Sequence, residues 1–255
     1  MSWNPEQYLR FSQPRLRPAI DLLGRIALDS PQRIYDLGCG AGNVTALLRA
    51  RWPAAALTGV DSSAAMLEKA ATALPHVSWL QQSLDQWRAE AAADLIFSNA
   101  ALHWLGDHEH LFPRLLTSLR AGGVLAVQMP RNFAAPSHTL IADTVRAGPW
   151  RSQLESLLGP PPVSEPAFYY SVLAPLSQTL DIWETEYLQV LSGEDPVKEW
   201  TKGTALIPYL QRLSPAQHRP FESDYAQRLR TAYPRRADGT TLFPFKRLFI
   251  LLQRK

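Results

Sequence analysis

Over its first half the chain alternates short apolar runs with stretches of helical period. Arg33–Leu37, Ala56–Asp61, Val77–Leu80, Asp94–Phe97 and Val124–Met129 have the length and apolar content of buried strands. Between them, Val44–Arg51, Ala64–Ala73 and His108–Leu119 read as helices. Strands that alternate with helices pair in parallel through right-handed crossovers, so the expected class is α/β.

The pattern changes at Gly159-Pro160-Pro161-Pro162-Val163, which cannot be helix interior and reads as a rigid loop. Beyond it, Thr179–Val190 and Leu248–Leu252 read as strands. The second is an unbroken apolar run, as expected when both faces are covered, so these strands are expected to rejoin the sheet. Ser214-Pro215-Ala216-Gln217 predicts a helix start, with Ser as N-cap, Pro at the first position and Gln closing a capping box. Phe221, Tyr225 and Leu229 then share one face. The expected organisation is one domain over 1–255. Its parts are an N-terminal helical segment (1–30), a ligand-binding half (31–133), a cap insertion (134–175) and a C-terminal portion (176–255) that completes the sheet and a pocket.

Composition narrows the class. Apolar residues make up 46% and charged residues 19%, enough apolar surface to offset the entropy of ordering. No apolar run approaches the ~20 residues of a membrane-spanning helix. The start of the chain, Met1-Ser2-Trp3-Asn4-Pro5-Glu6, is too polar for a secretory leader. One cysteine, Cys39, excludes an internal disulfide and fits a cytoplasmic location. The net charge of +3 comes from 26 basic and 23 acidic residues. The Arg-rich C-terminal third reads as a solvated face, so no nucleic-acid, membrane or protein partner is expected. His103, His108 and His110 sit in a polar run and do not make a metal site.

The candidate chemistry lies in Asp36-Leu37-Gly38-Cys39-Gly40-Ala41-Gly42-Asn43, at the end of the first strand. In an open α/β sheet this loop lies where ligands bind. The next strand ends in Asp61, whose carboxylate can accept both hydroxyl hydrogens of a ribose. Two cofactor readings compete. A dinucleotide fingerprint needs G-x-G-x-x-G, but the third fingerprint position here is Asn43. Asp36 is also a poor neighbour for pyrophosphate, whereas a cationic ligand suits it. S-adenosylmethionine carries a sulfonium, an ammonium and no phosphate, and Asp36 and Asp61 would bracket its methionine and ribose ends.

These residues carry a family resemblance. Asp36–Asn43 resembles the first motif of the class I S-adenosylmethionine-dependent methyltransferases. Gly59-Val60-Asp61-Ser62-Ser63 resembles their second acidic motif, Asp94–Ala100 their fourth-strand motif, and Leu119–Leu125 their turn into strand five. Trp3–Leu9, Arg51-Trp52-Pro53, Leu102–His108, Gln128–Asn132, Phe168-Tyr169-Tyr170 and Lys202-Gly203-Thr204 are similar to the branch of that family that methylates trans-aconitate. The resemblance covers essentially the whole chain. It implies a Rossmann-like fold: a mostly parallel seven-stranded sheet with helices on both faces and a helical cap insertion. It also implies S-adenosylmethionine as cofactor, with S-adenosylhomocysteine as product. Cofactor contacts would come from Asp36, Gly38, Gly40, Asn43, Asp61, Ser62, Met66, Ser83, Leu84, Asn99 and Tyr8. Arg131, Tyr169 and Trp200 are the expected acceptor-binding residues, and His103 and Trp104 are positioning candidates.

The sequence departs from the family pattern twice. Ser83 stands where an acid often receives the adenine amino group, and its hydroxyl can accept the same hydrogen. Ala205-Leu206-Ile207-Pro208 stands where the family carries an arginine before the proline. Ile207 cannot hold a carboxylate bidentately as arginine does. The expected reaction is methyl-ester formation on a small carboxylic acid, most simply trans-aconitate. A methyltransferase for a monocarboxylate or a natural-product hydroxyl, and a non-catalytic cofactor-binding protein, remain as alternatives. So does an oxidoreductase, which nicotinamide binding would support.

Overall fold

A computed structural model describes the backbone of residues 12–255 and the side chains of residues 16–255. Trp3 and Tyr8 therefore lie outside the described residues. In chain order the main elements are α1 (Ser12–Gly24), β1 (Arg33–Leu37), α2 (Asn43–Arg51), β2 (Ala56–Asp61), α3 (Ala64–Ala73), β3 (Ser78–Gln81) and β4 (Ala93–Asn99). They continue as α4 (His108–Thr117), β5 (Leu119–Pro130), α5 (Pro136–Ala147), α6 (Arg151–Leu154), α7 (Pro166–Leu173) and β6 (Ser177–Leu191). The last are α8 (Pro196–Lys202), α9 (Ile207–Arg212), α10 (Pro215–Ala232) and β7 (Thr241–Arg254). No described helix is long and apolar enough to cross a membrane.

The chain gathers into two compact units. The larger joins Arg15–Pro130, Pro162–Thr185 and Arg247–Lys255. The seven strands run in the order β3-β2-β1-β4-β5-β7-β6. The first five are parallel, and β7 pairs with β5 antiparallel. The order reverses between β1 and β4, and the crevice beside such a reversal is where an open α/β sheet binds its ligand. Ile34, Leu37, Leu95, Ile96, Phe97, Leu125, Ala126 and Val127 are all buried, as central strands covered on both faces require. At the far end of the sheet Asp94 ties β1 to β4. Its Oδ2 accepts from the backbone N–H of Gln32 at 2.9 Å and of Arg33 at 2.8 Å, and its Oδ1 accepts from Arg120.

In the smaller unit, Arg131–Pro161 packs with Glu186–Lys246. Trp150, Trp200, Phe221, Tyr225, Leu229 and Phe243 form its core. The face of α10 read from the sequence is the buried one, and Ser214 and Gln217 form the capping box. Three hydrogen bonds tie polar groups of this unit together. Tyr225 Oη donates to the Ser137 carbonyl at 2.6 Å, Ser137 N–H donates to Tyr233 Oη at 3.1 Å, and Asn132 Nδ2 donates to Ser137 Oγ at 3.0 Å.

Several element ends differ from expectation, and three of the differences have a visible cause. The helix expected over His108–Leu119 ends at Thr117, because Leu119 already pairs with Ala93 in the sheet. Strand β5 therefore starts earlier than Val124, through a register shift that only small residues allow. Gly122 has φ +73, and a Cβ on Gly123 would lie 2.9 Å from the Ala93 carbonyl oxygen. Strand β7 starts at Thr241, not Leu248. Its first half buries alternate residues (Thr241, Phe243, Phe245), a period masked in the sequence by Pro244 and Lys246.

Candidate active site

The first-motif loop leaves the C-terminal end of β1, and Gly38, Gly40 and Gly42 all take positive φ. Two of them need glycine for different reasons. A Cβ on Gly38 would come 2.1 Å from the Ala101 Cβ, so the loop lies directly against the turn after β4. At Gly40, φ is +55 and a Cβ would meet nothing within 4 Å. That open side of the loop backbone is room for a ligand. Asn43, exposed, opens α2.

Asp61 closes the other side. Its Oδ2 accepts from the Gly40 N–H at 2.9 Å and its Oδ1 from the Ser63 N–H at 2.9 Å. Each carboxylate oxygen has a second lone pair, so both can still accept from a diol. Ser63 caps α3 through Met66 N–H, which sets the buried Met66 one turn beyond Asp61, while Ser62 stays exposed. After β3, Ser83 is exposed and Leu84 buried. Arg114 holds that loop by donating to the carbonyls of Leu84 at 3.2 Å and Trp87 at 3.0 Å.

Asp36 is the least hydrated acid of the site. It is 1% exposed, and burial raises its carboxyl to about 7. Thr45 Oγ1 donates to its Oδ2 at 2.6 Å and works against the rise, while the charge of Asp61 adds to it. Cys39 is buried and its thiol is pushed far up by burial and by both acids, so it is no nucleophile here.

At the ends of β4 and β5, Asn99 pairs in register with Gln128, so their side chains share one face. Asn99 Oδ1 and Gln128 Nε2 are buried with no hydrogen-bond partner among the described residues. Gln128 Oε1 accepts from Arg247 Nη1 of β7 at 3.3 Å. Ala100 follows with φ 53, a left-handed conformation unusual outside glycine and typical of functional turns.

The structure brings Asp36, Gly38, Gly40, Asn43, Asp61, Ser62, Met66, Ser83, Leu84 and Asn99 to the C-terminal ends of β1–β4. The expected acceptor-side residues are more scattered. His103 and Trp104 follow β4 in a 3-10 turn, their rings 4.8 Å apart, and Trp104 is 57% exposed. Arg131, half-buried, directly follows β5, with its N–H donating to the Lys246 carbonyl at 3.0 Å. Tyr169 is buried, and its hydroxyl donates to His108 Nδ1 at 2.7 Å. His108 Nε2 donates in turn to the Leu102 carbonyl at 3.1 Å, which requires the neutral Nε2–H tautomer, and burial lowers the ring's pKa. Trp200 lies in the core of the smaller unit. Ile207, half-buried, opens α9. No group of metal-ligating side chains occurs among the described residues.

Sequence reading missed Thr45, Gln128 and Arg247. None of them is marked in the sequence, because each shows its purpose only through a partner that is not its neighbour in the chain.

Comparison with known proteins agrees with this fold. A methyltransferase-domain family profile matches residues 34–123. Trans-aconitate 2-methyltransferase of Azoarcus sp. (strain BH72) is 47% identical over 253 residues, covering 99% of each chain. Among solved structures, the YcgJ protein of Bacillus subtilis superposes with a TM-score of 0.63 at 14% identity, covering 94% of this chain and 99% of its own. Phosphoethanolamine N-methyltransferase 2 of Haemonchus contortus, in complex with S-adenosyl-L-methionine, superposes at 0.56 with 15% identity, covering 94% of this chain and 53% of its own.

Proposed function

The chain belongs to the trans-aconitate 2-methyltransferase family, and on that premise we propose that it esterifies a carboxylate of trans-aconitate with the methyl group of S-adenosylmethionine. The observation that carries this reading is the near-complete, 47% identical match to a trans-aconitate 2-methyltransferase, and it is supported by a glycine loop held by Asp61 through the Gly40 N–H. The fit of the cofactor rests on three features of the site. They are the open side of Gly40, the Asp61 carboxylate beside it, and the buried Asn99 oxygen that awaits a donor.

When bound, S-adenosylmethionine supplies a methyl group on a sulfonium sulfur and leaves as S-adenosylhomocysteine. Asp61 holds the ribose hydroxyls, and Asp36 supplies negative charge toward the methionine end. Gly38, Gly40 and Asn43 shape the loop. Met66, Ser62, Ser83 and Leu84 hold the adenosine end, and Asn99 accepts from a cofactor N–H; Tyr8 completes this set in the reading. On the acceptor side, the carboxylate ligand proposed is Arg131 and the positioning residues proposed are His103 and Trp104, while Tyr169 and Trp200, both buried, contribute packing.

A carboxylate is already ionised at neutral pH, so His103 need not act as a base. The protein's contribution is alignment of the acceptor oxygen with the methyl carbon, worth about 7–11 kcal/mol in favourable cases. Cations should hold the spectator carboxylates and leave the attacking one bare, because a tight ion pair to the nucleophile stabilises the ground state. The partner is a small-molecule carboxylic acid; no nucleic acid, membrane or protein enters this reading. A cytoplasmic location is part of the same proposal, since a single cysteine, Cys39, makes no internal disulfide that would call for an oxidising compartment.

The test is methyl transfer to trans-aconitate, cis-aconitate, isocitrate and a monocarboxylate, read by product mass. A mono-methyl product made fastest from trans-aconitate is expected. Faster turnover of a monocarboxylate would move the acceptor assignment, and Ile207→Arg would then be expected to restore polycarboxylates.

A further inference from the structure

The C-terminal edge of the sheet is graded in polarity. Taken in spatial order, β2 ends in Asp61, β1 carries Asp36, β4 ends in Asn99, β5 carries Gln128, and β7 carries Arg247. The two acids stand at one end, the two amides in the middle and the guanidinium at the other. A cationic cofactor and a polyanionic acceptor would meet over such an edge in a fixed order, cofactor over the acids and acceptor over the amide and guanidinium.

The amides make this more than a trend. Gln128 is 0% exposed. Its orientation is set by Arg247, whose Nη1 donates to Oε1 and so turns Nε2 the other way. That Nε2 is left as a buried donor with no acceptor among the described residues. Its register neighbour Asn99 shows the opposite need, a buried oxygen with no donor. Buried polar groups are nearly always paired, so two unpaired ones at facing register positions, beside the crevice where the strand order reverses, mark a place where a ligand supplies the partner. The missing partners are a donor at β4 and an acceptor oxygen at β5.

We infer that Gln128 is a specificity-determining residue of the acceptor site: its Nε2 donates to a spectator carboxylate of the methyl acceptor, with Arg247 locking the amide in that sense. The inference rests on the carboxylate-methylation reading above. It gives the protein a carboxylate contact on β5 that does not depend on an arginine at Ile207.

Two variants test it, measured with trans-aconitate and with a monocarboxylate beside wild type. Gln128→Met keeps the volume and removes the donor. Gln128→Glu keeps the partner for Arg247 and adds a charge that repels a carboxylate. Both are expected to raise KM for trans-aconitate by about tenfold or more, Glu more than Met, as loss of a hydrogen bond to a charged group requires. Affinity for S-adenosylhomocysteine should stay within about twofold, and the monocarboxylate should be affected less. A purely structural role would lower Tm and perturb cofactor affinity and both acceptors together. An unchanged KM for trans-aconitate in folded Met and Glu variants would overturn the assignment while leaving the reaction in place. A wild-type protein that methylates none of the acids would overturn the reading itself, and the assignment with it.

Discussion

Thr45 Oγ1 donates a 2.6 Å hydrogen bond to Asp36 Oδ2, and both side chains are buried. Burial has raised the Asp36 carboxyl to about 7, and the Thr45 bond restrains that rise. A cationic ligand selects the ionised form. Affinity for S-adenosylmethionine should therefore weaken as pH falls below about 7, by at most about tenfold per pH unit. Thr45→Val should move this midpoint to higher pH, and Asp36→Asn should abolish it. Titration calorimetry across that range checks this, and a flat wild-type affinity would count against Asp36 as the cation's partner. Stability follows with a definite sign. A carboxyl raised from 3.8 to about 7 contributes stability that is complete below about pH 4 and is lost as pH rises through about 7. Bound cofactor offsets that loss, so its Tm increment should be larger above this range than below it.

Gly38 and Gly40 should respond differently to alanine. At Gly38 the new Cβ would meet the Ala101 Cβ at 2.1 Å and the backbone has φ +75, so a loss of about 2–4 kcal/mol in stability is expected. At Gly40 the space is open, and only the left-handed backbone resists, at about 1–2 kcal/mol. Cofactor affinity, though, should fall sharply there, because the methyl group occupies ligand space. Thermal melts with and without S-adenosylhomocysteine separate the cases. Equal affinity in Gly40→Ala and wild type would place the ligand elsewhere.

Asp61→Ala removes two proposed ribose acceptors and also releases the Gly40 and Ser63 N–H groups. Cofactor affinity should drop by about a hundredfold or more, as expected for losing charge-assisted bonds. Asp61→Asn, which keeps one acceptor, should fall between. If affinity survived in the alanine variant, the ribose site would have to be sought off β2.

At the opposite end of the sheet, Asp94→Ala should cost about 2 kcal/mol or more of stability, by leaving the Gln32 and Arg33 N–H groups and Arg120 without their acceptor. Its pH sense is the reverse of Asp36. Burial opposes ionisation, but the bonds from Arg120, Arg33 and Gln32 outweigh it and lower the pKa, so this contribution is present at neutral pH and lost toward acid. Cofactor affinity should be unaffected. A Tm unchanged in the variant would show that this end of β1 is held by other contacts.

The fold was legible where local chemistry and tertiary structure ask for the same residue. Strand β1 ends at Leu37 as read, because the glycines that follow adopt φ values no strand tolerates. The helix over Ala64–Ala73 was read to the residue, since Ser63 caps it locally. Boundaries decided at a distance were misread. Whether Leu119 closes a helix or opens a strand depends on Ala93, far away in sequence. The first half of β7 likewise hides a proline and a lysine on its outer face.

The candidate site divides in the same way. Asp36, the glycines and Asp61 are contiguous with their elements, so they were legible from spacing alone as a candidate site for a cation and a ribose. Gln128, Arg247 and Thr45 were silent, because a polar residue in an apolar run shows its purpose only through its partner. For Gln128 that partner is on β7, beyond the whole of the smaller unit in sequence. The backbone chemistry of the loop is local and therefore written in sequence order. The order Asp61, Asp36, Asn99, Gln128, Arg247 is spatial, and only the folding of distant strands into one sheet brings it about.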